Sequence, residues 1–187
     1  MLAWLRQRET LRRTARSLYG SIVTQARSRA IYAAWGVPDS NEGRFEVIAL
    51  HLVLVLRRIA KEGEAGQPLG QALTEAFVID LDDTFREMTV GDMAVPRHVK
   101  RAVAVLHDRF TTYGAALDQT GQEALDGAVT ARLAGLPGAE ALDVTAVAAY
   151  IREAAGALEH QAGASVLQGQ LAWPQIHAGS DDQTDAG

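Results

Sequence analysis

Histidines, acids and cysteines carry most protein chemistry, and their spacing here is informative. The five histidines, His51, His98, His107, His160 and His177, never fall four residues apart, so the paired-ligand face of a helical zinc site is missing. A di-iron carboxylate site needs Glu-x-x-His pairs, whereas Glu46 is followed three residues on by Ala49 and Glu87 by Val90. Cysteine is absent, which removes disulfides, thiolate metal sites and thiol nucleophiles. There is no glycine-rich phosphate loop ending in Lys and Ser or Thr, and no dinucleotide fingerprint after a strand. A Ser-His-Asp triad assembles in space and leaves no spacing to read. His51 lies inside an apolar run and reads most simply as a hydrogen-bonded core histidine, with an acid-base role as the alternative. Spacing therefore supports no catalytic residue, metal ligand or cofactor, and leaves an enzyme unsupported rather than excluded.

Charge is more telling than catalysis. The first 35 residues carry seven arginines against one acid, so the rest of the chain is more acidic than the net charge of -5 suggests. Arg8, Arg12, Arg13 and Arg16 fill one side of a helix whose other side holds Trp4, Leu11, Ala15, Leu18 and Ile22. Such a face is either a solvated surface or a dock for an anionic partner, lipid or ribosomal. Asp80 falls at the edge of an apolar stripe and needs a partner, since a lone buried carboxylate is costly. Arg97, Lys100 and Arg101 crowd the first turns of another helix, where the helix dipole disfavours cations, so an anionic partner is expected there, from Asp82 or Asp92 or from outside.

The elements that must position these residues are helices. Apolar positions recur at helical spacing nearly throughout, and no alternating pattern of strand length occurs. The turn residues Gly36 to Gly43 precede a helix over 44–60 that is apolar almost all round, the profile of a central core helix. Pro68 opens a third helix with Leu69, Leu73, Phe77, Leu81, Thr84 and Met88 on its buried side. A fourth begins near Pro96 with Val99, Ala102, Val103, Leu106, Phe110 and Tyr113 as its stripe. A helix over 122–134 stops at Gly135-Leu136-Pro137-Gly138, and Asp143 caps one more. Residues 162–173 match no single pattern. The reading is an all-α domain of about six helices: a basic arm over 1–17, a helical domain over 18–174, and a polar, disordered tail over 175–187. The longest apolar stretch, Val47 to Leu56, is about half the ~20 residues a membrane span requires.

Several of these residues also form a pattern. Leu18-Tyr19-Gly20, Gly36-Val37-Pro38-Asp39, Gly43-Arg44-Phe45-Glu46, Leu50-His51-Leu52 and Leu56-Arg57-Arg58 make one block. Gln71-Ala72-Leu73, Asp80-Leu81-Asp82, Arg86-Glu87-Met88, Val90-Gly91-Asp92 and Val99-Lys100 make a second. In order and spacing the chain resembles the ubiquinol-cytochrome c chaperone family, with Thr89 standing where the family pattern has Gly.

The resemblance implies a non-catalytic assembly factor for the bc1 complex. It implies cytochrome b or other bc1 assembly components as partners, with the ribosome exit region and an anionic membrane surface as further contacts. The location implied is cytoplasmic and peripheral at the inner face of the membrane, or the mitochondrial matrix in a eukaryote. On this reading the loops 36–43 and 89–96 sit together, and Asp39, Arg44, Glu46, Arg57, Arg58, Asp80, Asp82, Arg86, Asp92 and Lys100 frame the partner face. The competing expectation is a charge network joining Arg44 or Arg58 to Asp80 that only holds helices in register.

Two other functions compete. A lipid or quinone carrier would use an apolar cavity among the small core alanines. A transcriptional regulator would need a short helix-turn-helix, and none is visible in the first 60 residues, so no DNA partner is expected.

Overall fold

Ser40 opens the helix around which the other elements are arranged. Its side chain accepts a hydrogen bond from the Gly43 amide at 3.1 Å, satisfying one of the donors that a helix start leaves unpaired. In the computed structural model, backbone is described for residues 2–87 and 95–176, and side chains for 5–81, 100 and 103–176. The helices run in the order α1 (Leu2–Ala26), α2 (Arg29–Ala33), α3 (Asn41–Ala60), α4 (Gln67–Glu87), α5 (Val95–Leu117), α6 (Glu123–Val129), α7 (Val144–His160) and α8 (Gly163–Leu167). A 3-10 turn at Gly63–Ala65 leads into α4, and a π turn at Thr130–Ala134 continues α6. No strand occurs among the described residues, and the fold is all-α as its periodicity predicts.

Helix α3 is the axis. Every residue from Ala49 to Val55 is buried, so no side of its middle section meets water. Helices α1, α4, α5, α7 and α8 surround it. Each fully buried leucine or valine contributes about 2 kcal/mol through lost apolar surface. Along α1 the predicted stripe is buried at Ala15, Leu18 and Ile22, and the helix packs on α4, with the Tyr19 and Phe77 rings edge to face at 6.3 Å. Leu69, Leu73, Phe77 and Leu81 are buried on α4, as are Leu106 and Tyr113 on α5.

The structure alters several sequence expectations. Helix α3 starts three residues before Arg44, because the Ser40 cap draws Asn41 to Gly43 into its first turn. Val103 is 37% exposed and lies off the buried stripe of α5. The five-residue helices α2 and α8 escaped notice because neither is long enough to show a period. From Leu2 onward the basic segment is the first part of one uninterrupted helix that continues to Ala26. At the other end the chain stays packed through Ile176. No helix among the described residues is long and apolar enough to cross a membrane.

Candidate functional site

The polar residues singled out by sequence distribute along α3 and its neighbours rather than gathering into one patch. At the α3 entrance, Arg44 Nε donates to Asp39 at 2.6 Å on an exposed surface, and that hydrogen bond holds the Asp39 carboxyl below its ordinary range. The loop that carries them is fixed by its glycines. Gly36 adopts a φ of 63° with its Cα against the Ala141 carbonyl, and Gly43 abuts the carbonyl of Pro38. The Asp143 amide donates to the Trp35 carbonyl at 2.9 Å, while the Asp143 side chain caps α7 at the Ala146 amide, as its sequence position predicts. The loop over 36–43 therefore packs on the segment over 138–143. Its expected neighbour over 89–96 lies largely outside the described residues.

One turn into α3, Glu46 is buried and paired with Arg109 of α5, whose Nε donates at 2.7 Å. The pair is well shielded, with side-chain exposures of 8% and 12%. Arg109 also bonds Asp108, which in turn accepts from Arg132, and Arg132 reaches Thr112 at 3.0 Å. The hydrogen bond to Glu46 raises the Arg109 pKa and keeps the guanidinium charged. Sequence reasoning missed Arg109. The signal was there, since a carboxylate in an otherwise apolar helix needs a cation from a neighbouring one.

At the far end of α3, Arg57 pairs with Asp118, and Lys61 pairs with Glu159. Arg58 Nε donates to the Leu158 carbonyl and its Nη2 to the Gln161 carbonyl, each at 2.9 Å, while Nη1 holds Glu62 at 2.5 Å. The buried guanidinium thus closes the C-terminus of α7, where carbonyls are unpaired and the dipole favours a cation.

The expected link from Arg44 or Arg58 to Asp80 does not form, because both arginines have these other partners. Asp80 is exposed on α4, not buried, and accepts a hydrogen bond from Tyr19 Oη at 2.8 Å. Burial, reinforced by that bond, raises the Tyr19 pKa and keeps the phenol protonated as a donor. Lys100 is exposed on α5. The side chains of Asp82 and Arg86, the residue Asp92, and the side chains of Arg97 and Arg101 lie outside the described residues.

His51 is fully buried and hydrogen bonded, as its place in the apolar run predicts. The Val47 carbonyl, 2.8 Å from Nδ1, can only accept, so Nδ1 carries the proton and Nε2 accepts from Tyr150 Oη at 2.8 Å. Tyr150 in turn accepts from Gln25 Nε2 at 3.1 Å. Burial pushes the His51 pKa down to about 4, and with both nitrogens engaged the ring is a neutral crosslink between α3, α7 and α1. The cleft lined by Leu54, Arg57, Arg58, Lys61, Ala155 and Glu159 is small, with room for about one water. On α1, residues 5–10 are exposed on every side, and so are Arg12, Arg13 and Arg16.

Among the described residues, the buried polar side chains of Glu46, His51 and Arg58 are each engaged in joining one helix to another. The sequence profile of the ubiquinol-cytochrome C chaperone family matches residues 33–173, and the chain belongs to that family. Membership gives it a chaperone role in assembly of the ubiquinol-cytochrome c reductase (bc1) complex. Among solved structures it is similar to the Cbp3 homolog from Brucella abortus, with a TM-score of 0.81 and 28% sequence identity over 94% of this chain and 98% of that one. No curated protein matches it significantly by sequence.

Proposed function

We propose that this chain binds cytochrome b, or an assembly intermediate containing it, at the membrane surface and holds it without chemistry until the bc1 complex is built. The observation that supports this most directly is the extent of the family match, which runs from the end of α2 to Trp173 and takes in α3 with α4, α5, α7 and α8 around it. The buried charges on α3 point to binding rather than catalysis, because each is engaged by another group of the fold.

The first part of α1 then serves as a docking arm for an anionic surface, membrane or ribosome, through Arg8, Arg12, Arg13 and Arg16. The partner face includes the exposed pair Asp39 and Arg44 with Lys100 and Asp80, and on this proposal Asp82, Arg86 and Asp92 extend it. Glu46, Arg57 and Arg58 support that face from within.

Photocrosslinkers at positions 39, 80 and 100 in the native host test the reading. Adducts with cytochrome b are expected, together with a loss of assembled bc1 when the chain is deleted. Normal bc1 content in the deletion strain would overturn it.

A further inference from the structure

Residues 169–176 leave α8 at Gly169, whose φ of 85° turns the chain back, and run extended along α1 from Thr14 and Ser17 past Ser21 to Gln25. Leu171, Trp173 and Ile176 pack inward while Ala172 and Gln175 are exposed, close to the alternation of a strand, yet no strand pairs with them. Side-chain amides take hold of the main chain instead. Gln161, just past the end of α7, donates from Nε2 to the Ala172 carbonyl at 2.8 Å and accepts the Ala172 amide on Oε1 at 2.9 Å. Gln25 donates to the Pro174 carbonyl at 3.2 Å. Two glutamines thus supply the hydrogen bonds that a neighbouring strand gives an added peptide. The Trp173 ring makes a T-shaped contact with His51, their centroids 5.2 Å apart, and its Nε1 donates to Ser21 at 3.0 Å.

We propose that this surface is a peptide-binding groove, that residues 169–176 are its tethered ligand, and that an extended apolar segment of the client takes their place when the strap lifts. The resident defines the class of ligand. No charged residue occurs between Gln161 and Ile176, and the inward side chains are leucine, tryptophan and isoleucine. The glutamines grip main-chain atoms, so the groove selects for extension and hydrophobicity more than for sequence. Release is local, because no backbone-to-backbone hydrogen bond ties residues 171–176 to the described remainder. Tethering gives the strap a high local concentration, so it excludes weak ligands until something better competes. The identity of the displacing ligand rests on the chaperone reading, whereas the groove itself does not.

The test uses the full chain with Leu171→Ser and Trp173→Ser, and a fluorescein-labelled peptide with the sequence of residues 168–176 as the probe. Anisotropy should show the double variant binding this peptide at least about tenfold more tightly than the unsubstituted chain, because the groove is no longer occupied. Adding Gln161→Ala should remove that gain. A double variant that keeps its helical circular dichroism and heat transition but binds no better than the unsubstituted chain overturns the proposal. Should the double variant fail to fold, hydrogen exchange in the unsubstituted chain decides. Exchange of the Ala172 amide through a local opening, ahead of the α3 amides, supports the strap, and exchange only on global unfolding refutes it. Normal bc1 content in a deletion strain would sink the chaperone reading and leave the peptide result standing.

Discussion

His51 links pH to stability in a direction its surroundings fix. In the unfolded chain the ring takes up a proton near its ordinary value of 6.5, and in the folded chain only near 4, so between those values the unfolded state binds more protons. The contribution is therefore complete above about pH 6.5 and is lost as pH falls towards 4, a range on the order of 3 kcal/mol. Urea midpoints should fall between pH 7 and pH 4.5, and should fall less in His51→Gln; an equal fall in both would assign the effect to the carboxylates. The Glu46–Arg109 pair gives a second prediction. Arg109→Met leaves a buried carboxylate without its cation and should cost about 3 kcal/mol, while adding Glu46→Leu should restore more than half of that. A double variant as unstable as the single one would show that the charges are not the issue. Sequence made His51 legible, because a histidine in an apolar helix must be hydrogen bonded. It did not reveal Arg109, because helical spacing does not say which neighbouring helix a side chain will face.

Glycines and caps decide how the elements meet. A Cβ on Gly43 would lie 2.0 Å from the Pro38 carbonyl oxygen, so Gly43→Ala must displace the loop and should cost about 2–3 kcal/mol in a denaturant titration. Gly127→Ala, on α6 with open space around it, should instead stabilise by up to about 1 kcal/mol. A cost at position 127 equal to that at 43 would show that the close approach is not the cause. The basic part of α1 makes a different prediction. Arg12→Glu with Arg13→Glu should abolish cosedimentation with phosphatidylglycerol vesicles at low salt, and binding by the unsubstituted chain should fade as salt rises. Unchanged cosedimentation by the charge-reversed chain would remove the arm from any lipid contact. Element existence was well marked in the sequence for α1, α3, α4, α5 and α7, whose apolar stripes run over several turns. The loop over 36–43 was recognised by its turn residues, but its packing on 138–143 was hidden. That contact depends on Gly36 and Ala141 backbones touching, which no side-chain pattern records.

At the scale of the whole molecule, α3 sets the order of unfolding. Its middle section has no solvent face, so the amides of Leu50 to Val55 should exchange only through global opening, while those at the start of α1 exchange through fraying. Faster exchange in α3 than in α7 would contradict the central placement. The same arrangement explains why the family resemblance was readable from Leu18 onward. A helix buried on all sides constrains every residue along it and its partners on five neighbouring helices, so a large share of the chain carries the pattern. The first turns of α1, exposed at residues 5–10, have no such packing and are marked by composition alone.

Trp173 has an optical consequence. The chain contains three tryptophans, Trp4, Trp35 and Trp173, and with Trp4 and Trp35 changed to phenylalanine the one that remains is half-buried beside an imidazole. Its emission should shift to the red when the indole moves into water and should be quenched when His51 gains a proton. One unlabelled cuvette measurement therefore separates the strap's departure from acid loosening of the core, because the two events change different properties of the same light.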